Sequence, residues 1–252
     1  MVHFVGAGPG DKELITVKGK RLLEEADVII YAGSLVNQEL LSYGKPGADV
    51  YNSAAMTLEE VIQVMEEAER RGRTTVRLHT GDPSIYGAHR EQMDRLEALN
   101  IPYDVVPGVS SFLAAAASMK AEYTLPGVSQ TVILSRMEGR TAVPKQEGLE
   151  ALAAHQATMV LFLSAGQAGE AARRLAEGGY PWDTPAAIVY KASWEDETIL
   201  YGTLEDIGEK AKKAGIKKTA LILVGRFLGN QYELSRLYDK HFTHGFRQGS
   251  GE

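Results

Sequence analysis

Three short turns constrain this chain more than anything else in it: VGAGPGD (Val5 to Asp11), HTGDPSIYGA (His79 to Ala88) and VVPGVSS (Val105 to Ser111). Each follows an apolar run that reads as a buried strand, and each bends sharply on glycine and proline. Strands alternating with helical patterns give an α/β sheet, and ligands settle where the loops at strand ends converge. Three such loops in one half of a chain point to a small-molecule site.

The first turn is not a dinucleotide fingerprint. Gly6 and Gly8 open it, but the third glycine of that pattern falls on Asp11. A carboxylate at a helix entrance repels a pyrophosphate. The ribose-binding acid expected about 20 residues on is also missing, because Val28 to Ala32 runs into Gly33 and Ser34. No Gly-Lys-Ser/Thr follows, so a Walker A loop is excluded as well.

The wider pattern alternates in both halves. Strands are predicted at 2–6, 27–31, 74–79, 103–106, 131–136, 158–164, 186–190, 197–201 and 219–225. Helices are predicted at 17–26, 57–71, 90–99, 110–119, 147–155, 167–177 and 204–214. The clearest helix opens on a capping box of Thr57 and Glu60 and stops at Gly72; Thr203 is read as the cap of the last one. The stretch Lys120 to Ser129 breaks the rhythm and is a candidate hinge. The expected division is therefore 1–117, 118–239 and a polar tail at 240–252, whose His241 and His244 read as incidental.

Composition removes several chemistries. The chain has no cysteine, so disulfides, thiolate zinc sites and cysteine nucleophiles are ruled out. Its six histidines show no ligand spacing, and no metal site is expected. A net charge of −6 argues against a nucleic-acid or anionic-membrane footprint. No apolar run reaches the roughly 18 residues of a membrane span, and the start lacks a signal-peptide pattern. The expectation is a cytoplasmic protein.

Within the loops each polar residue has two readings. Asp82 closes an Asx-turn or orients a ligand or its loops. Ser110 and Ser111 cap a helix, contact a ligand, or both. A serine nucleophile is disfavoured, since no Gly-x-Ser-x-Gly elbow surrounds them. Arg136, Glu138 and Arg140 are a solvated strand end or a grip on substrate carboxylates.

Taken in this order, the loops resemble the tetrapyrrole (corrin/porphyrin) methyltransferases over about Val2 to Phe227. YAGSLV (Tyr31 to Val36), HTGDPSIYGA and SQTVILSRMEGRTAVP (Ser129 to Pro144) resemble the branch that methylates carbon 11 of a corrin precursor. Ala142 departs from the proline expected there. The resemblance implies two α/β domains with the cofactor cleft between them, in a homodimer, using S-adenosylmethionine and releasing S-adenosylhomocysteine. It assigns cofactor contacts to Pro9, Gly81, Asp82, Ile85, Ser110, Ser111, Leu163, Ala192, Thr219 and Ala220. The tetrapyrrole's carboxylates make Lys18, Arg77, Arg136, Arg140 and Lys191 candidate partners. The catalytic residue stays open. The competing readings are another ring carbon or uroporphyrinogen III, diphthamide or ribosomal RNA modification, a nucleotide-dependent oxidoreductase, and a non-catalytic regulatory module that kept the cleft.

Overall fold

A computed structural model describes residues 1–139 and 141–250. The chain forms two compact units, Met1–Ser118 with Lys191–Thr198, and Met119–Tyr190 with Ile199–Glu252. The segment between two strands of the second unit, Lys191–Thr198, thus belongs with the first.

The first unit is a parallel sheet of β1 (Val2–Gly6), β2 (Val28–Tyr31), β3 (Asp49–Asn52), β4 (Thr75–His79) and β5 (Tyr103–Val106) in the order β3-β2-β4-β1-β5. Its helices are α1 (Val17–Glu25), α2 (Leu58–Arg70), α3 (Arg90–Ala98) and α4 (Ser111–Met119). A parallel sheet needs cover on both faces, so its central strands are buried throughout. Side-chain alternation sorts them into two cores. Val5, Ile29, Val76 and Leu78 pack with Leu22 and Leu23 of α1. Val2, Phe4, Val28 and Ile30 pack with Val61, Ile62 and Met65 of α2 and Leu96 of α3. The capping box forms as expected, with Thr57 and Glu60 exchanging bonds, and Gly72 turns left-handed at φ +66°.

The second unit is a mixed sheet of β6 (Val132–Arg136), β7 (Thr158–Phe162), β8 (Pro185–Tyr190), β9 (Thr198–Thr203) and β10 (Ala220–Val224), ordered β6-β7-β10-β8-β9. β6 and β7 run parallel, whereas β10 is antiparallel to both β7 and β8. Helices α5 (Leu149–Ala153), α6 (Ala168–Glu177) and α7 (Ile207–Lys213) share a core with Met159, Leu161, Ile188 and Ile222. The candidate hinge is anchored within this unit: the Tyr123 carbonyl accepts from Thr158 Oγ1 at 2.8 Å and its ring lies 5.1 Å from Phe227.

Two local expectations are corrected. β3 was not predicted, because all four of its residues are exposed on a sheet edge and carry no burial pattern. Thr203 does not cap α7. It ends β9, Asp206 stands at the cap position, and the Thr203 N–H donates to the Asp206 carboxylate at 2.9 Å.

Candidate functional site

β4, β1 and β5 are parallel neighbours, so the loops after His79, Gly6 and Val106 leave the sheet side by side. They are joined through backbone. Gly8 and Gly81 exchange N–H···O bonds of 3.2 and 2.9 Å. A Cβ on Gly6 would stand 2.5 Å from Gly108 Cα, and one on Gly108 would stand 2.2 Å from the Gly81 carbonyl oxygen. Side chains are excluded here, so the loops meet as bare peptide.

Asp82 divides its carboxylate between two loops. Oδ1 accepts from the Ser84 N–H at 2.8 Å and from the Ser84 hydroxyl, which closes an Asx-turn. Oδ2 accepts from the Gly108 N–H at 2.8 Å and ties the second loop to the third. Burial alone pushes this carboxyl's pKa up. The bonds from Ser84 and Gly108 outweigh it and hold the group below the usual aspartate value. Beyond Asp82 lie half-buried Ile85 and exposed Tyr86. Ser110 is buried, its carbonyl accepts from the Leu113 N–H, and Ser111 opens α4.

Lys191–Thr198 clamps the first loop. Trp194 Nε1 donates to the Pro9 carbonyl at 2.9 Å, and its ring covers Gly10, where a Cβ would come within 2.1 Å of the indole. The Asp11 N–H donates to Ser193 Oγ at 3.0 Å, while Glu197 accepts from the Ser193 N–H and the Ser118 hydroxyl at 2.6 Å each. Asn37 Nδ2 donates to the Gly10 carbonyl at 2.9 Å. Sequence reading missed Trp194, Ser193, Glu197 and Asn37. The one available signal was a tryptophan set in an otherwise polar strand-to-strand link.

In the second unit, strand register gathers Arg136, Leu163, Thr219 and Ala220 at one end of the sheet. Arg136 is paired with Phe162, Ile222 with Leu161, and Ala220 with Tyr190. Leu163, Thr219 and Ala220 therefore share that end, whereas Ala192 belongs to the segment that goes with the first unit. The backbone marks the same places. Nine described non-glycine residues have positive φ. Asn100, Lys120 and Gln156 simply end helices; the other six are Tyr86, Ala88, Leu163, Lys191, Ser193 and Thr219, all in or beside nominated loops. Such conformations cost about 1–3 kcal/mol each and cluster where geometry serves a ligand. Leu163 is also 71% exposed, an unusual place for a leucine.

The five cations nominated for substrate separate clearly. Lys18 pairs with Asp104 at 3.2 Å, and Lys191 pairs with Asp196 at 2.6 Å while lying 5.3 Å from the Trp194 ring. Arg136 donates to the carbonyls of Met137, Thr141 and Ala142 at 2.9–3.1 Å, closing its own loop. Arg140 lies outside the described residues. Arg77 is a correction: it is 6% exposed inside the first unit, because strand alternation turns it toward α2 and α3. Burial pushes its pKa down to about 10.

Comparison with known proteins gives the same direction. Residues 1–208 match the family model for tetrapyrrole (corrin/porphyrin) methylases. A cobalt-precorrin-4 C(11)-methyltransferase of Methanocaldococcus jannaschii is 59% identical, covering 98% of this chain and 96% of that one. A solved cobalt precorrin-4 methyltransferase structure superimposes with a TM-score of 0.89 at 47% identity, over 91% of this chain and 96% of the other. A uroporphyrin-III C-methyltransferase from Thermus thermophilus, complexed with S-adenosylhomocysteine, gives 0.75 at 29% identity, over 90% and 92%. The chain belongs to the tetrapyrrole (corrin/porphyrin) methylases.

Proposed function

We propose that this chain transfers a methyl group from S-adenosylmethionine to carbon 11 of a precorrin-4-type ring in cobalamin synthesis. The observation that carries this is the 59% identity, over nearly the whole of both chains, to a protein named for that reaction. The uroporphyrin-III enzyme is the more distant of the two structural neighbours in both identity and superposition.

The residues fit the donor. A sulfonium carries an already activated methyl, so the protein's task is placement. The loops of the first unit offer backbone at Gly81, a tied carboxylate at Asp82 and a helix start at Ser110 and Ser111, in a cradle that a Cβ would fill. In this reading Pro9, Ile85, Leu163, Ala192, Thr219 and Ala220 complete the contacts. Lys18, Arg136, Arg140 and Lys191 meet tetrapyrrole carboxylates, and Arg77 leaves that set. The reading extends to a cytoplasmic homodimer; among the described residues no helix is long and apolar enough to cross a membrane.

The test is incubation with methyl-labelled S-adenosylmethionine and, separately, cobalt-precorrin-4, metal-free precorrin-4 and uroporphyrinogen III. Label at carbon 11 of either precorrin-4 is the expected result, and the pair decides whether cobalt is required. Label in uroporphyrinogen III alone overturns the carbon-11 assignment. Absence of label everywhere overturns the activity.

A further inference from the structure

Beneath the second loop sits a buried polar relay that the proposed chemistry does not use. On β4, Val76 and Leu78 face the α1 core, so Thr75, Arg77 and His79 face α2 and α3. Arg77 Nε donates to Gln92 Oε1 at 3.1 Å and Nη1 to the Ile30 carbonyl at 3.3 Å. Gln92, itself 6% exposed, donates from Nε2 to the Ala88 carbonyl at 3.2 Å. Among the described residues no carboxylate pairs with Arg77. A buried cation without a counter-ion is costly, and a well-packed apolar side chain usually serves stability better. This one is kept directly under a nominated ligand loop.

The loop above needs holding. Tyr86 and Ala88 are left-handed at φ 54° and 46°, and a Cβ on Gly87 would stand 2.1 Å from the Pro83 carbonyl oxygen. Alanine gains nothing from that conformation, so its carbonyl points where Gln92 fixes it. His79 reinforces the floor, with its ring 5.9 Å from Phe4 and 5.8 Å from His89. His79 Nε2 and Thr80 Oγ1 are buried without a hydrogen-bond partner.

The structure assigns Arg77 and Gln92 as positioning residues: a relay from the Ile30 carbonyl through Arg77 and Gln92 to Ala88 sets the shape of the loop from Gly81 to Ala88. That this loop grips the methyl donor rests on the function proposed above; that the relay shapes the loop does not.

Gln92→Glu separates the two ends of the relay. It keeps an acceptor for Arg77, now a charged one, and removes the donor to Ala88. Thermal melting is expected to stay close to wild type. Amide exchange across residues 84–89 of the ligand-free protein is expected to quicken about tenfold. S-adenosylhomocysteine affinity should fall by about tenfold, equivalent to 1.4 kcal/mol, with KM for the donor rising while kcat changes little. The double variant Arg77→Met with Gln92→Met removes both polar groups, so melting should hold or rise, but exchange and affinity should remain altered. Unchanged exchange in Gln92→Glu overturns the assignment. So does full recovery of exchange and affinity in the double variant, since the pair would then only be satisfying itself. A wild type that binds no S-adenosylhomocysteine overturns the proposed donor site, and the ligand-free exchange result still decides the relay.

Discussion

The two units shape the loops at their sheet ends by opposite means. In the first, the loops after β1, β4 and β5 approach so closely that only glycine fits at Gly6 and Gly108. In the second, the end of the sheet bends through Leu163 and Thr219, which hold φ values of 54° and 55° that glycine takes without strain. One sheet end is specified by the absence of side chains and the other by side chains kept in spite of strain. A glycine at a crowded position reports packing. A leucine in a glycine's conformation keeps its side chain at the cost of strain.

The largest effect should come from reversing both solutions. Gly108→Ala puts a methyl 2.2 Å from the Gly81 carbonyl oxygen, and backbone must move. Overpacking of this kind costs about 1–3 kcal/mol or more, and donor binding should be lost along with it. Leu163→Gly is expected to do the reverse: an unfolding free energy within about 1 kcal/mol of wild type, because released strain offsets added chain entropy, but S-adenosylhomocysteine affinity several-fold weaker. Calorimetry and denaturant titration on both variants check this. Equal destabilisation in the two would erase the contrast between the units.

Acid should also separate them. Burial, with the nearby Arg77 charge and His89, pushes the His79 pKa down to about 3, so the folded state keeps it neutral. In the unfolded chain it titrates near the ordinary value of about 6.5. Between those values the unfolded state binds the additional proton, so His79 costs stability progressively as pH falls from about 6.5 toward 3. Amide exchange at pH 5 should therefore open the α2–α3 side of the first unit before the second unit. His79→Phe should flatten that acid slope. An unchanged slope in the variant would assign the acid sensitivity elsewhere.

Asp82 gives a smaller and differently placed effect. Asp82→Ala leaves the Gly108 N–H without its acceptor, a loss of about 1–3 kcal/mol for a buried group and less for one partly wet. The expected result is a modest drop in melting temperature with about tenfold weaker S-adenosylhomocysteine binding. Because the folded carboxyl titrates below the ordinary value, its stabilising part is present above about pH 3.9 and disappears as pH falls through the folded value. A variant that melts early but binds normally would reduce Asp82 to a turn residue.

How much of this was legible follows from the same contrast. The first unit's loops announce themselves through Gly6, Gly81, Pro83 and Gly108, since turn chemistry is local and written in residue type. The capping box of α2 was readable for the same reason. Leu163 and Thr219 carry no such mark: their φ values are imposed by the sheet and appear only in three dimensions. Their nomination came from family resemblance and not from the residues themselves. Trp194 reaches Pro9 across 185 positions of sequence, and no periodicity encodes so remote a bond. Arg77 misled because a charged residue on a strand reads as surface. It is buried because β4 is central in a sheet covered on both faces, a property of strand order and not of the local sequence.

The smallest expected effect tests the edge of the second unit. Arg136 spends its guanidinium on the carbonyls of Met137, Thr141 and Ala142, which makes it a loop clamp before it is a substrate contact. A tetrapyrrole carboxylate must compete with those carbonyls, and partial exposure screens the charge further. Arg136→Ala is therefore expected to weaken tetrapyrrole binding by no more than about tenfold, the equivalent of 1.4 kcal/mol, and S-adenosylhomocysteine binding by less than about twofold. Arg136→Lys makes the distinction sharper, because lysine keeps the charge and loses the three-way fork. If the clamp dominates, lysine behaves like alanine and exchange across residues 137–144 quickens in both. If lysine instead restores tetrapyrrole affinity while the loop stays loose, charge alone is what the substrate requires, and Arg136 acts on the ligand directly.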